Sequence, residues 1–413
     1  MRFGEGPSNH GLVGRLVGLG LALALPVGAA EPRRITLEEA LALAEASPAA
    51  RALTAELERA ATELRRAGLW PNPEASVSRE RTGDSTDEFA LLSLPIPLSG
   101  RLGLEKDASR RGLEAAEQRT RQERLRLRMR VRDAFVDLRA AQERVAVLDE
   151  GFARLARLVE ILKARESEGE SSGFDRMRAE REGAEVESEL LHARGRLDRA
   201  RASLAGVLGL SSTEILAEGE LGPRGGFPSL EQVQRVVAGR GDLEALVAEA
   251  ARSERLADAA GRRAVPEPAI VAGVKRTTVG PADASGPVIG VSFSIPLFDH
   301  GQGDRAAARA EADLLRARHR SAEVEALAEA EAALAEANRR REAETAYAAA
   351  PDPEGLVRIA QAAYEEGEMR ILELLDAYRT ALATRLRTID LRAEARRAEA
   401  TLNRAAGAEL VVP

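Results

Sequence analysis

Few residues of this sequence belong to the types that carry out chemistry, and those few are scattered. The chain of 413 residues has no cysteine, which excludes disulfides, thiol catalysis and thiolate metal sites. Its histidines have no partner at metal-binding spacing; they are His10, His192, His300 and His319. No glycine-rich phosphate loop, nucleophile elbow or paired-carboxylate arrangement stands out. We therefore predict no enzyme, no resident metal and no cofactor.

Carboxylates do cluster, at two glycine-containing turns. The first cluster surrounds Gly169 and consists of Glu166, Glu168, Glu170 and Asp175. The second surrounds Gly367 and consists of Glu365, Glu366, Glu368 and Glu373. Repeated around an axis, such turns would form acidic rings that favour cations. The simpler interpretation, which we favour, is that these are solvated turns whose carboxylates cap helices.

Long helices must position these turns. From Val131 to Leu162, apolar residues recur at alternating spacings of three and four, which is the pattern of a coiled-coil seam. No proline lies between Arg101 and Glu166, so a single helix of roughly 100 Å is predicted. The chain reverses at Ser167–Gly173, and a return helix is predicted to run to about Gly209. A helix of this length indicates an elongated architecture that spans a distance.

Composition supports long helices and excludes some partners. Charged residues make up 31% of the chain and aromatic residues only 3%, which is typical of helices packed through narrow Ala and Leu stripes. The net charge of -7 leaves no basic footprint for nucleic acid. An apolar run from Leu16 to Leu25 follows Arg2 and Arg15, so residues 1–30 are predicted to be a signal peptide for export.

The order of sequence signals occurs twice. A capping box opens each copy, at Thr36 and at Ser229. The predicted first repeat, residues 31–220, contains a helix, a β-hairpin over 74–97 and a helical hairpin over 101–209. The second, residues 221–413, contains a helix, a β-hairpin over 268–297 and a helical hairpin over 303–407, interrupted near Pro351 and Pro353. This is the signature of an internal duplication.

The alternation of residues along the hairpins indicates which of their faces contacts lipid and which contacts water. Ile289, Val291 and Phe293 alternate with Gly290 and Ser292, which suits a barrel wall with lipid outside and water inside. A soluble sheet with one buried face is the alternative. Four strands cannot close a barrel of the usual eight or more, whereas a trimer would supply twelve. The fold class predicted is therefore mainly α, with duplicated helical hairpins and a small membrane β part.

Six motifs carry a resemblance that covers nearly the whole chain after residue 30. They are Leu37-Glu38-Glu39-Ala40, Ser47-Pro48, Leu69-Trp70-Pro71-Asn72-Pro73, Ile295-Pro296-Leu297-Phe298-Asp299 with Gly301, Gly367-Glu368, and Leu372-Glu373-Leu374-Leu375-Asp376-Ala377. Each motif is weak alone, but their order is specific. The chain resembles the TolC-type outer-membrane efflux channels, above all the outer components of heavy-metal and drug efflux systems.

The resemblance implies a function and an assembly. It implies a homotrimer with a twelve-stranded barrel in outer-membrane lipid and a helical tunnel across the periplasm. The protein would be a passive exit duct for small molecules or metal ions, which an inner-membrane pump expels through a periplasmic membrane-fusion adaptor. Two alternatives stay open: the outlet of a one-step protein secretion system, which shares this architecture, and a periplasmic membrane-fusion adaptor.

The resemblance also implies roles for the two turns, which would be the periplasmic tips that dock the adaptor. The residues implied are Gly169, Ser172, Asp175 and Met177 at the first tip and Gly367, Arg370, Glu373, Leu375 and Asp376 at the second. The possible acidic pore mouth would consist of Glu168, Glu170, Glu366 and Glu368. Arg370 departs from the family pattern, which has a hydroxyl residue there. An N-cap worth about 1 kcal/mol is therefore expected to be lost at the second tip.

Overall fold

The structure is a computed structural model that describes residues 33–169, 172–211, 214–222 and 226–411. The predicted signal peptide and Glu170 lie outside these residues. The described helices are α1 Leu37–Glu45, α2 Pro48–Arg66, α3 Arg101–Ser167, α4 Gly173–Leu208, α5 Leu230–Val237, α6 Gly241–Gly261, α7 Gln302–Ala348, α8 Pro353–Glu365 and α9 Ile371–Ala406. The strands are β1 Arg33–Ile35, β2 Glu74–Thr82, β3 Ser85–Pro95, β4 Ile215–Ala217, β5 Pro268–Val279 and β6 Ala282–Phe293.

The long helix predicted from the seam is α3, a continuous helix of 67 residues. It packs against its return helix α4 and also against α6 and α9 of the second half. In the second half the ascending helix is broken, since α7 ends at Ala348 and α8 begins at Pro353. Asp352 caps α8 by accepting from the backbone N–H groups of Glu354 and Gly355. The mainly α fold with two long helical hairpins is thus confirmed.

The four long strands form one antiparallel sheet in the order β2-β3-β5-β6. The sequence predicts the hairpin loops over residues 82–87 and 279–286, but the strands continue into tight turns at Gly83 and Gly280. Both glycines have positive φ, 58° and 55°, a conformation that favours glycine. The longer strands carry the sheet further beyond the helices than the sequence indicated.

A second, smaller sheet lies beside the helices. The linker from Ser211 to Pro228 was expected to be irregular, but β4 pairs in parallel with β1 near the chain's first described residues. Ile35 and Ile215 are buried there with Leu138 of α3 and Leu204 of α4. β4 is therefore held against α3 and α4 by apolar packing.

Among the helices that the structure describes, none combines the length and the apolar composition needed to cross a membrane.

Candidate functional site

The main sheet has one apolar and one polar face. Register places Leu92, Ala272 and Ile289 side by side on one face. The other face carries Glu80, Asp87 and Thr277 in register near the turns, and Leu91, Gly273 and Val288 further along the strands. Along β5 and β6, residues of the apolar face are mostly the more exposed ones. The polar face is therefore the inner, concave face of a curved sheet, and the apolar face is convex and points outward.

Charged side chains line the polar face near the hairpin turns. The Lys275 ammonium lies 2.9 Å from the Asp87 carboxylate and 5.1 Å from the centre of the Phe89 ring. Glu74 and Glu80 share this face and pair with no cation among the described residues. Phe89 lies on this face as well, in register with Ser78 and Lys275. The inner face therefore carries an excess of negative charge.

One glycine decides how closely the two hairpins approach. A Cβ atom at Gly273 would lie 2.1 Å from the Ala90 carbonyl oxygen and 2.8 Å from the Leu91 side chain. At Gly290, on the neighbouring strand, a Cβ would meet nothing within 4 Å. The junction between β3 and β5 thus requires glycine, since bulk there would push the hairpins apart.

The first tip joins α3 to α4 and is held by an ionic clasp. The Arg176 guanidinium donates to Glu166 at 2.6 Å and to Glu180 at 2.7 Å, and these hydrogen bonds raise the pKa of Arg176. Gly173 makes room for the clasp, because a Cβ there would lie 2.6 Å from the Glu166 carboxylate. The Ser172 hydroxyl accepts from the Asp175 N–H at 3.2 Å and caps α4.

The second tip, between α8 and α9, is capped differently. The Arg370 side chain makes no capping hydrogen bond, as its type predicted. However, the Glu373 carboxylate accepts from the Arg370 backbone N–H at 2.9 Å. The hydrogen bond from the N-cap N–H to the N3 carboxylate of a capping box is therefore kept, and it partly offsets the missing hydroxyl cap of α9. Gly169 and Gly367 close the two turns with φ of 79° and 77°.

The two tips expose different side chains. At matching positions, Leu375 of the second tip is only 3% exposed whereas Met177 of the first is 63% exposed. Phe174 is also exposed beside Met177. Leu375 is buried in an apolar cluster that contains residues of α3, α4, α8 and α9, so both tips share one core. The first tip therefore has the larger exposed apolar surface.

The predicted acidic residues remain solvated. Glu168, Glu366 and Glu368 are exposed, and Asp376 is exposed on the first turns of α9. Within the described part of the protomer, no salt bridge involves any of these four. Arg379 donates to Glu182 of α4 at 3.0 and 2.5 Å, which links the two hairpins, and its pKa is raised by that hydrogen bond.

Above the tips lies a set of charged residues that no sequence pattern brings together. Arg154 of α3 and Arg385 of α9 each contact Glu150 of α3 and Glu354 of α8. The four N–O distances lie between 2.8 and 3.2 Å. We call these four residues the ionic square. It ties the first turn of α8 to both neighbouring helices.

A third contact fixes the C-terminal tail against the middle of α3. The fully buried Asn403 side chain accepts from the N–H groups of Leu410 and Val411 at 2.9 and 3.0 Å. Glu409 pairs with Arg128 at 2.5 Å and Arg132 at 2.8 Å. Burial raises the pKa of Glu409, but hydrogen bonds and charges of the two arginines outweigh it and hold that pKa below its ordinary value.

Metal ligands do not converge in the part of the chain that the structure describes. There, no group of three His, Cys, Asp or Glu side chains is placed to hold an ion. The candidate site is consequently an extended surface of the subunit and not a pocket. It consists of an amphipathic sheet at one end, two solvated helical tips at the other end and a long helical layer between them. Such a subunit is suited to form part of a channel wall.

The chain belongs to the outer membrane efflux protein family, whose profile matches residues 36–210 and 233–408. It is 28% identical to the cobalt-zinc-cadmium resistance protein CzcC of Cupriavidus metallidurans, over 94% of each chain. It is 25% identical to the nickel-cobalt-cadmium resistance protein NccC of Alcaligenes xylosoxydans xylosoxydans, over 70% of this chain and 67% of the relative.

Solved channels share the fold. The Campylobacter jejuni CmeC outer membrane channel aligns with a TM-score of 0.75 and 17% identity, covering 91% of this chain and 86% of that one. The outer membrane protein VceC of Vibrio cholerae aligns with a TM-score of 0.71 and 20% identity, covering 90% and 96%. The protein is thus an efflux channel of the outer membrane with a long periplasmic helical part. Channels of this family are trimeric and work with an adaptor and an inner-membrane pump.

Proposed function

We propose that this protein is the homotrimeric outer-membrane duct of a tripartite system that expels divalent metal cations. The observation that carries the proposal is the open sheet β2-β3-β5-β6, in which β2 and β6 each have one unpaired edge within the described protomer. Unpaired strand edges are not tolerated in lipid, so a sheet in the outer membrane must pair with further copies.

The strand directions suit closure into a ring. Each neighbouring pair in the sheet is antiparallel, so β2 and β6 run in opposite directions. If β6 of one protomer lies beside β2 of the next, that pair is antiparallel too. Three copies then give twelve antiparallel strands with their polar faces inward, an even number of the kind that membrane barrels use.

The helical layer has matching open edges. Near the tips, α4 packs on α3, α3 on α9 and α9 on α8, so the layer ends at α4 on one side and α8 on the other. Nearer the sheet, the layer runs from α2 through α3 and α6 to α7. A threefold ring would join α4 to the neighbour's α8 and α2 to its α7, which supports a closed tunnel.

The tips are the proposed docking points for the adaptor. Phe174 and Met177 project from the first turns of α4 and are each more than half exposed. Exposed apolar side chains at the far end of the helices suit burial against a partner. At the second tip, Arg370 and Asp376 offer charged contacts instead. The two tips would therefore contact the adaptor through different chemistry.

Two observations support a metal cargo. The relatives CzcC and NccC are named for resistance to cobalt, zinc, cadmium and nickel. In addition, Glu74 and Glu80 on the inner face of the sheet are not neutralised by a cation among the described residues, whereas Lys275 is paired with Asp87. Threefold repetition would line the barrel with fixed negative charge, which favours cations over anions.

The test uses a metal-sensitive strain that expresses the full chain with its pump and adaptor. We expect higher tolerance of cobalt, zinc and cadmium, and less cell-associated metal, than in cells without the channel. A Glu74→Gln/Glu80→Gln variant should assemble normally but show weaker preference for cations in planar bilayers. Unchanged tolerance with a normal outer-membrane trimer would contradict the cargo, and a monomer outside that membrane would contradict the duct.

A further inference from the structure

The apolar band of the sheet is too short for a membrane. On β6 the apolar face runs from Pro287 to Phe293, which rises about 20 Å along the strand or about 15 Å once the strand is tilted. The lipid-facing band of an outer-membrane barrel is roughly 25 Å tall. About 10 Å of apolar surface is therefore missing from the strands themselves.

The band cannot be extended toward the hairpin turns. On the same face, the next positions toward the turns are charged: Arg79 pairs across the strands with Glu88, and Arg276 pairs with Asp283. Placing these groups in acyl chains would be costly. The missing apolar surface must consequently lie at the other end, where the strands join the helices.

The linkers at that end expose large apolar side chains. They are Leu69, Trp70, Leu98, Val265, Ile295, Leu297 and Phe298. Trp70 is 61% exposed and Phe298 is 91% exposed. Residues 294–298 directly follow β6 and turn at Ile295, whose carbonyl accepts from the Leu297 N–H, so their exposed side chains continue the apolar surface beyond Phe293. Trp and other aromatic side chains are typical of the depth at which a membrane meets water.

An arginine pair precedes these linkers in each half of the chain. Arg65 and Arg66 end α2, and Arg262 and Arg263 follow α6. Arg263 pairs with Asp304, whereas no salt bridge involves Arg66 or Arg262 within the described residues. Both Arg262 and Arg263 stay exposed although α6 is flanked by α3 and α7. Arg262 and Arg263 therefore remain accessible to solvent or lipid when the helices close into a ring.

We propose that these linkers and arginine pairs form a collar that binds the inner leaflet of the outer membrane. The exposed apolar side chains lie among acyl chains, and Arg65, Arg66 and Arg262 bind the phosphates of anionic phospholipids, while Arg263 stays paired with Asp304. The first pair lies a few residues before Trp70 and the second a few residues before Val265, which matches the shallow depth of the headgroup region. The collar rests on the proposed barrel and extends the lipid contact of the channel beyond its strands.

Trp70 reports directly on the collar, because it is the single tryptophan of the chain. The full-length channel is reconstituted in vesicles whose phospholipids carry bromine on the upper part of the acyl chains. We expect these lipids to quench Trp70 strongly, and aqueous iodide to quench it little. Strong iodide quenching without bromine quenching, in a channel that still conducts as a trimer, would overturn the collar and leave the duct intact.

Lipid preference tests the arginines. Trp70 quenching is compared between vesicles containing a minor fraction of brominated phosphatidylglycerol and vesicles containing the same fraction of brominated phosphatidylcholine. One arginine near an anionic surface strengthens binding about fivefold. The wild type should therefore prefer phosphatidylglycerol severalfold, and Arg66→Gln/Arg262→Gln should lose that preference.

The matched control removes the same charge from the middle of the helical layer. Arg196→Gln/Arg199→Gln alters two exposed arginines of α4 and should keep the lipid preference of the wild type. Equal quenching by both lipids in the wild type, or an equal loss in both variants, would overturn the arginine contacts. A chain that never inserts as a trimer would overturn the collar together with the proposed duct.

Discussion

Removing the Glu354 carboxylate should loosen the helix α8 at the second tip. In the ionic square, Glu354 lies 2.9 Å from Arg154 and 3.2 Å from Arg385. Glu354→Gln keeps the shape of the side chain but removes its charge. Glu150 would then be the only carboxylate shared by the two arginines, which leaves the square with excess positive charge between α3 and α9.

The size of the effect follows from burial. The side chains of these pairs are 20 to 31% exposed, so they lie between surface pairs, worth up to about 1 kcal/mol, and buried pairs, worth more. After allowance for solvent screening, we assign about 0.5 to 1 kcal/mol to each, and about 1 to 2 kcal/mol to both. That corresponds to a roughly 5- to 30-fold greater population of released α8. Val357 and Ala360 still hold α8 by apolar packing, so global unfolding is not expected.

Hydrogen exchange of the purified trimer measures this population directly. The amides of α8 should exchange about 5 to 30 times faster in Glu354→Gln, and openings recorded in planar bilayers should become more frequent. Glu342→Gln, which alters an exposed carboxylate of α7, should leave both readouts unchanged. At 1 M salt the difference should shrink, because the Debye length falls to about 3 Å. Unchanged exchange of α8 in Glu354→Gln would refute the reasoning.

Three further perturbations test other contacts of the structure. Gly273→Ala should reduce the yield of heat-resistant trimers on gels because its Cβ cannot fit between the hairpins, whereas Gly290→Ala should assemble normally. Gly173→Ala should displace the carboxylate of the ionic clasp and raise proteolysis at the first tip, whereas Gly183→Ala, in open space, should not. The Glu409 contact stabilises the docked tail at any pH above the ordinary carboxyl pKa of about 4.3. Because the pKa of Glu409 is lower in the folded protein, this stabilisation is lost only as the pH falls through that lower pKa. Release of the tail, followed by limited proteolysis, should therefore begin only in acid, and Glu409→Gln should release it at neutral pH.

Local sequence rules predicted the elements that carry the architecture. The seam on α3 has a fixed period, and its length follows from the absence of proline between Arg101 and Glu166. The capping boxes at Thr36 and Ser229 start helices as predicted, with each N3 side chain reaching back to the cap. Alternation along β6 predicted the two faces of the sheet. These features depend on residues that are neighbours in sequence, so they are visible without the structure.

The contacts between distant segments were not predictable in this way. The ionic square joins Glu150 to Arg385, and the tail contact joins Arg132 to Glu409, across more than half the length of the chain. In a sequence with 31% charged residues, every exposed helical position has many candidate partners, and only packing selects among them. Roles of the tip residues in docking stay predictions, because they concern a surface that no neighbour in the protomer covers.

A comparison of the two halves of the chain separates the backbone features that both copies keep from the side chains that differ between them. Each return helix ends at a left-handed glycine that touches the joint between the two short helices of its own half. A Cβ at Gly209 would lie 2.4 Å from the Pro48 ring, and one at Gly407 would lie 2.4 Å from the Arg240 side chain. The backbone therefore demands glycine in both halves, but the glycines face different positions. Gly209 faces Pro48, the first residue of α2, whereas Gly407 faces Arg240, the N-cap residue of α6, which donates to the Ala405 carbonyl at 2.8 Å. The positions that repeat in both halves are thus those at which the backbone conformation requires a particular residue. The positions that differ are those at which the side chain makes different contacts, as at Ser172 and Arg370 on the two tips.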